Sequence, residues 1–129
     1  MLNISGLNEG IVQNYFLARA KRCHKEGAVA FDSSTVSSYS RYIKETRQGF
    51  NKAGDGLDTV KLLTLFDLAT HQPIAFAREP GNLADVSGIE NALKQFSFLN
   101  ISKAQIVTDK GYYSRNNIGQ MLRKHIKFL

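Results

Sequence analysis

The chain has 129 residues, 43% of them hydrophobic, a length and content that suit one domain with a single core. Seventeen Lys and Arg against 11 Asp and Glu give a formal charge of +6 and an isoelectric point near 9.6, which suits a polyanionic partner such as nucleic acid. The single cysteine, Cys23, excludes an internal disulfide, no run approaches the roughly 20 apolar residues of a membrane span, and Met1 to Gly6 lack the basic and apolar regions of a secretory leader, so a cytoplasmic protein with no membrane partner is expected.

Between Asn8 and Gly27 the apolar positions Val12, Phe16, Ala20 and Cys23 recur at helical spacing, which predicts an amphipathic helix closed by Gly27. Ala28 to Phe31 read as a short buried strand that ends at Asp32. Ser33 to Asp58 are polar, basic and glycine-containing, and read as a long connection. Val60 to Leu68 and Pro73 to Ala77 predict an antiparallel hairpin around Ala69-Thr70-His71-Gln72, with Glu79-Pro80-Gly81-Asn82 as turn formers. Ile89, Leu93 and Phe96 mark a second helix, preceded by the capping-box pattern Ser87-Gly88-Ile89-Glu90. Ala104 to Thr108 form a further strand ending at Asp109. Gly111 turns the chain, Ser114 caps, and Ile118, Met121, Leu122 and His125 share one face of a last helix. Ile126 to Leu129 begin another strand, so the chain is expected to be a partial domain, with a leading helix over 1–27 and a core over 28–129.

Two aspartates that each end a β-type run come side by side if their strands pair, because neighbouring strands lie about 4.8 Å apart. Paired carboxylates repel, and a divalent cation such as Mg²⁺ or Mn²⁺ keeps both ionised. Spacing alone favours the simpler use of Asp32 and Asp109 as turn residues.

Five segments change that balance. Val29-Ala30-Phe31-Asp32-Ser33-Ser34-Thr35, Gly49-Phe50-Asn51-Lys52, the Asp67 to Ile74 hairpin, Gly81-Asn82-Leu83-Ala84-Asp85 and Ile106-Val107-Thr108-Asp109-Lys110-Gly111-Tyr112-Tyr113-Ser114 follow one another as in DDE-type insertion-sequence transposases, which this chain resembles over about residues 28 to 125. The resemblance implies an α/β, ribonuclease H-like mixed sheet, with an antiparallel hairpin of the first three strands plus a parallel strand, flanked by helices. It implies Asp32 and Asp109 as catalytic metal ligands for Mg²⁺ or Mn²⁺, in a two-metal site once complete. The activity it implies is DNA strand cleavage and strand transfer, with transposon ends and target DNA as partners and a homodimer for the full-length protein. The family's third ligand is a Glu on a later helix, and no Asp or Glu follows Asp109. These 129 residues alone are therefore expected not to cut DNA.

Lys52, Arg41, Lys44 and Arg47 give the first connection a basic character that serves equally as a phosphate contact or a solvated face, whereas Lys110, beside Asp109, is expected to meet phosphate. Thr35, Gly81, Asn82, Asp85 and Gly111 support the family motifs, Asn82 and Asp85 by shaping a turn and capping a helix. Tyr39, Tyr42, Tyr112 and Tyr113 are expected to pack beside the sheet rather than stack on bases. His24, His71 and His125 show no zinc-ligand spacing. Two other readings compete. One is a non-catalytic nucleic-acid-binding remnant. The other is a haloacid dehalogenase-like phosphatase, which Asp32-Ser33-Ser34-Thr35 faintly resembles, although Ser34 stands where that loop has Asp and a hairpin is foreign to its all-parallel sheet.

Overall fold

Asn8 begins the first helix, α1 (Glu9–Cys23), by accepting the Ile11 N–H on its side chain at 2.9 Å. The computed structural model describes residues 8–25, 27–49, 51, 53–99, 101, 104–123 and 126–129. Of the predicted stripe, Phe16, Ala20 and Cys23 are buried and Val12 is exposed. The helix stops at Cys23, earlier than expected, because His24 is already extended. Gly27 acts one step later: its φ of 143°, open to glycine and strained for other residues, swings the chain into the sheet.

Strand β1 (Ala28–Ser38) does not end at Phe31, as its polarity suggested, but runs seven residues further. The added length comes from non-local pairing. Ser33 to Ser38 lie antiparallel to Leu63 to Asp58 of β2 (Asp58–Asp67), so their main-chain groups are satisfied by a neighbour that composition does not reveal. Strand β3 (Gln72–Pro80) completes the expected hairpin, with Leu68 in the turn and His71 at a left-handed φ of 54°. Glu79 and Pro80, predicted as turn residues, instead finish β3. Its place at the sheet edge explains this, since an edge strand tolerates a residue without an N–H.

Helix α2 (Asp85–Gln95) starts two residues before Ser87, so the capping-box pattern falls inside the helix and Ala84, with no side-chain bond, is the N-cap. Strand β4 (Gln105–Thr108) leads through a single helical turn, Lys110–Tyr112, to α3 (Arg115–Arg123), and β5 (Lys127–Phe128) closes the chain. Ser114 caps as expected, its hydroxyl accepting the Asn117 N–H at 3.0 Å. On α3 the core face carries Met121 and Asn117, whose amide donates to the Tyr112 carbonyl at 2.7 Å, while Leu122 is 61% exposed and not part of that face. His125 and Lys52 lie outside the described residues.

The strands form one sheet in the order β3-β2-β1-β4-β5. β2 runs antiparallel to both β1 and β3, and β4 joins β1, and β5 joins β4, in parallel. Val29, Phe31, Leu63, Leu65 and Ala75 lie buried with Ile89 and Ala92 of the second helix and with Phe96 at its C-cap, and the Tyr112 ring meets Phe31 edge-on at 5.1 Å. This is the predicted mixed α/β sheet flanked by helices. The two antiparallel ladders remove the phosphatase reading, whose sheet is all parallel.

Candidate metal centre

The parallel ladder between β1 and β4 ends at the pair Phe31↔Thr108. Asp32 and Asp109 are the next residue on each strand's chain, so their main chains leave the ladder side by side, with neighbouring strands about 4.8 Å apart. In-register neighbours of a parallel pair point to the same side of the sheet. Here that is the side opposite the buried Phe31, and both aspartates are exposed. Asp32 is thus a mid-strand residue facing Thr64 across the other ladder, rather than the strand-end residue expected.

Each carboxylate is held by its own backbone. The Ser33 N–H donates to Asp32 Oδ1 at 2.8 Å, and the Lys110 N–H donates to Asp109 Oδ1 at 2.6 Å. Neither Oδ2 is bonded within the described residues. Two hard, solvent-facing oxygens on adjoining strands are the donor type that Mg²⁺ and Mn²⁺ select, so the pair fits a divalent cation. Among the described residues no group of three or more His, Cys, Asp or Glu is placed to hold a metal ion. Asp109 also caps the turn Lys110–Tyr112, the turn use weighed from its spacing.

The other singled-out residues scatter. Lys110 is exposed beside Asp109. Thr35 is an odd number of residues from Asp32 and so faces the opposite side, paired with Lys61. Arg41 is exposed, but the Arg47 guanidinium donates to the carbonyls of Lys44 at 2.8 Å and Thr46 at 2.6 Å, and its backbone bridges Thr59, which fastens the first connection to β2. Asn82 lies exposed in the turn after β3, Asp85 is the first residue of the second helix, and Gly111 lies within the single helical turn. Gly81 has a packing reason: a Cβ there would stand 2.2 Å from the Thr59 carbonyl oxygen.

One polar cluster escaped the sequence reading. Asp67, only 1% exposed, accepts the N–H groups of Ala69 and Thr70, the Thr70 hydroxyl and His24 Nδ1, the last at 2.6 Å. The Thr70 hydroxyl shares its single proton between this carboxylate and the Cys23 carbonyl, tying the end of α1 to the hairpin turn. Burial pushes the Asp67 carboxyl up, but the Thr70 N–H, His24 and the Thr70 hydroxyl outweigh it and hold its pKa down at about 2. The local signal was Asp67-x-x-Thr70, an Asx-type turn. The pairing with residue 24 had none.

Of the tyrosines, Tyr112 packs beside the sheet as expected, whereas Tyr39, Tyr42 and Tyr113 are exposed. No helix of the described residues is long and apolar enough to cross a membrane.

The fold is shared with solved transposase structures. A Mos1 transposase paired-end complex with left transposon end aligns at a TM-score of 0.54 and 15% identity over 95% of this chain. A pre-cleavage Mos1 transpososome gives 0.53 at 11% identity over 92%, and a Mos1 mariner paired-end complex with Mn gives 0.53 at 14% over 95%. These alignments span 43%, 40% and 43% of the Mos1 chains, so this chain corresponds to less than half of such a protein. The architecture is accordingly ribonuclease H-like. No curated protein matches the chain. The family described as transposase DDE domain matches residues 24–129, which take in both aspartates and every strand, and the chain belongs to that family.

Proposed function

We propose that this chain is the metal-binding core of a transposase catalytic domain, acting in DNA strand cleavage and strand transfer. The observation that carries the reading is the exit of Asp32 and Asp109 from the end of one parallel ladder onto one face of the sheet. Family membership and the shared fold support it, and one of the similar Mos1 complexes holds Mn.

Asp32 and Asp109 are the residues that would hold Mg²⁺ or Mn²⁺. Such a cation, bound, supplies Lewis-acid stabilisation of the charge that develops on a phosphodiester under attack. The protein's own contribution is positional. The Ser33 and Lys110 N–H groups fix one oxygen of each carboxylate, which leaves the other turned to solvent for a ligand. The Lys110 ammonium, exposed beside Asp109, offers a contact for a phosphate brought to the pair, and Arg41 and Lys44, both exposed, extend the basic surface along the first connection. Arg47 serves that connection by bracing it internally. The third carboxylate is not among the residues after Asp109, so these 129 residues bind metal and DNA without cutting.

The test joins the two properties. Binding of a short DNA duplex is expected to fall steeply between about 50 and 200 mM salt, and to strengthen when Mn²⁺ replaces a chelator. In Asp109→Asn the salt dependence should persist and the Mn²⁺ increment should vanish. An increment that survives in both Asp32→Asn and Asp109→Asn, or affinity indifferent to salt, contradicts the proposal.

A further inference from the structure

The stretch that leaves β1, Tyr39-Ser40-Arg41-Tyr42-Ile43-Lys44, carries the two most exposed large hydrophobic side chains among the described residues. Tyr39 is 88% exposed and Tyr42 is 96% exposed. Rings of this size are ordinarily buried in part, because their apolar faces gain by leaving water. Nor is this a loose tail. The Ser38 hydroxyl accepts the Ser40 N–H at 3.1 Å, and the Ser40 hydroxyl accepts the Tyr42 N–H at 3.2 Å. The Ile43 carbonyl accepts both the N–H and the hydroxyl of Thr46, and the Arg47–Thr59 bridge anchors the far end to the sheet. A hydrogen-bonded turn thus presents both rings outward.

The charges around the rings select among partners. Arg41 and Lys44 are exposed and form no ion pair among the described residues, while Glu45 faces Arg78 at 3.6 Å and Asp58 stands opposite Ser38 in the β1–β2 ladder. Aromatic faces alternating with free cations suit unpaired nucleobases, which offer a π-face to each ring and a phosphate to each cation. A protein partner would be met better by a continuous apolar patch, and Ser40 and Arg41 interrupt this one. The position fits as well. The part of β1 from Asp32 to Ser38 spans about 20 Å at roughly 3.3 Å per residue. DNA held at the aspartates would reach the tyrosines after about six base steps of roughly 3.4 Å each.

We propose that Tyr39 and Tyr42 form a stacking platform for unpaired bases of a DNA strand whose reacting part lies at Asp32 and Asp109. This rests on the role in DNA processing set out above, and the test separates the two. The 129-residue chain is titrated with a 20-nucleotide oligothymidylate, an abasic strand of equal length and a 20-base-pair duplex. It is expected to bind oligothymidylate about tenfold more tightly than the abasic strand. Tyr39→Ala/Tyr42→Ala should lose that preference, Tyr39→Phe/Tyr42→Phe should keep it, and duplex affinity should change less than about twofold in both. Equal affinity of the natural chain for abasic and thymidylate strands overturns the platform, as does an alanine variant with undiminished thymidylate binding. If duplex binding survives either result, the DNA role stands without the platform; if the chain binds none of the three DNAs, both fall. Loss of a dimer in the alanine variant with thymidylate affinity intact would assign the surface to a second copy, which also overturns the proposal.

Discussion

Asp67→Ala is expected to destabilise the protein by about 3 kcal/mol, read as a shift in the denaturant midpoint at neutral pH. The carboxylate is 1% exposed and accepts hydrogen bonds from Ala69, Thr70 and His24. Removing it leaves those donors without their acceptor in a site where water does not replace it. The pH dependence follows from the same contacts. The folded-state pKa, about 2, lies below the value of about 3.9 for an unfolded-chain Asp, so the unfolded state takes up the proton first. The stabilisation is therefore complete above about pH 5 and lost as pH falls toward 2, a contribution on the order of 2 kcal/mol. Asp67→Asn, which cannot ionise, should be less stable than the natural chain at pH 7, with the gap narrowing by pH 2.5. A gap that stays constant over that range would show that the carboxylate charge does not act there.

Gly81→Ala should be at least as damaging, and here the cause is steric. The added carbon would meet the Thr59 carbonyl oxygen and hydroxyl at 2.2 Å, and Thr59 is a fully buried β2 residue bridged to Arg47. Gly49 stacks on the same point, its own Cβ position lying 2.3 Å from the Gly81 carbonyl oxygen. Main chain on both sides cannot rotate away as a flexible side chain would, so a loss of about 3 kcal/mol or more, or failure to fold, is expected. Gly119→Ala is the control. Gly119 lies in α3 with only the end of Arg123 near its Cβ position, at 3.9 Å, so the same substitution should be neutral or stabilise by up to about 1 kcal/mol. Thermal melts of the two variants should move in opposite directions, or by clearly different amounts. Similar melts would remove the close-approach explanation for Gly81.

These two sites mark where the sequence was legible and where it was not. Periodicity located α1, the hairpin and the second helix, because Phe16, Ala20, Ile89 and Phe96 repeat at the spacing their buried faces require. It failed where partners distant in sequence decide the outcome. Ser33 to Ser38 are polar enough to read as a loop, and only β2, about 25 residues on, makes them strand. Pro80 reads as a turn former until β3 proves to be an edge strand. Leu122 reads as core until Asn117 takes the inward position. The aspartate pair was visible because both residues close apolar runs, but the face they share depends on the parallel register of β1 and β4. Gly81 was visible only as part of a motif, and its reason, the backbone of Thr59, lies in another strand. The Asp67 cluster links residues 24, 67 and 70, a combination with no local signature beyond a turn.

The central claim is that Asp32 and Asp109 share one cation, and calorimetric titration of Mn²⁺ into the natural chain, Asp32→Asn, Asp109→Asn and the double variant tests it most directly. Two carboxylates on one ion act as a unit, so each single substitution should weaken binding about as much as both together, by roughly tenfold or more, at a stoichiometry near one. Losses that add up independently, or Mn²⁺ binding unchanged in either single variant, would contradict it.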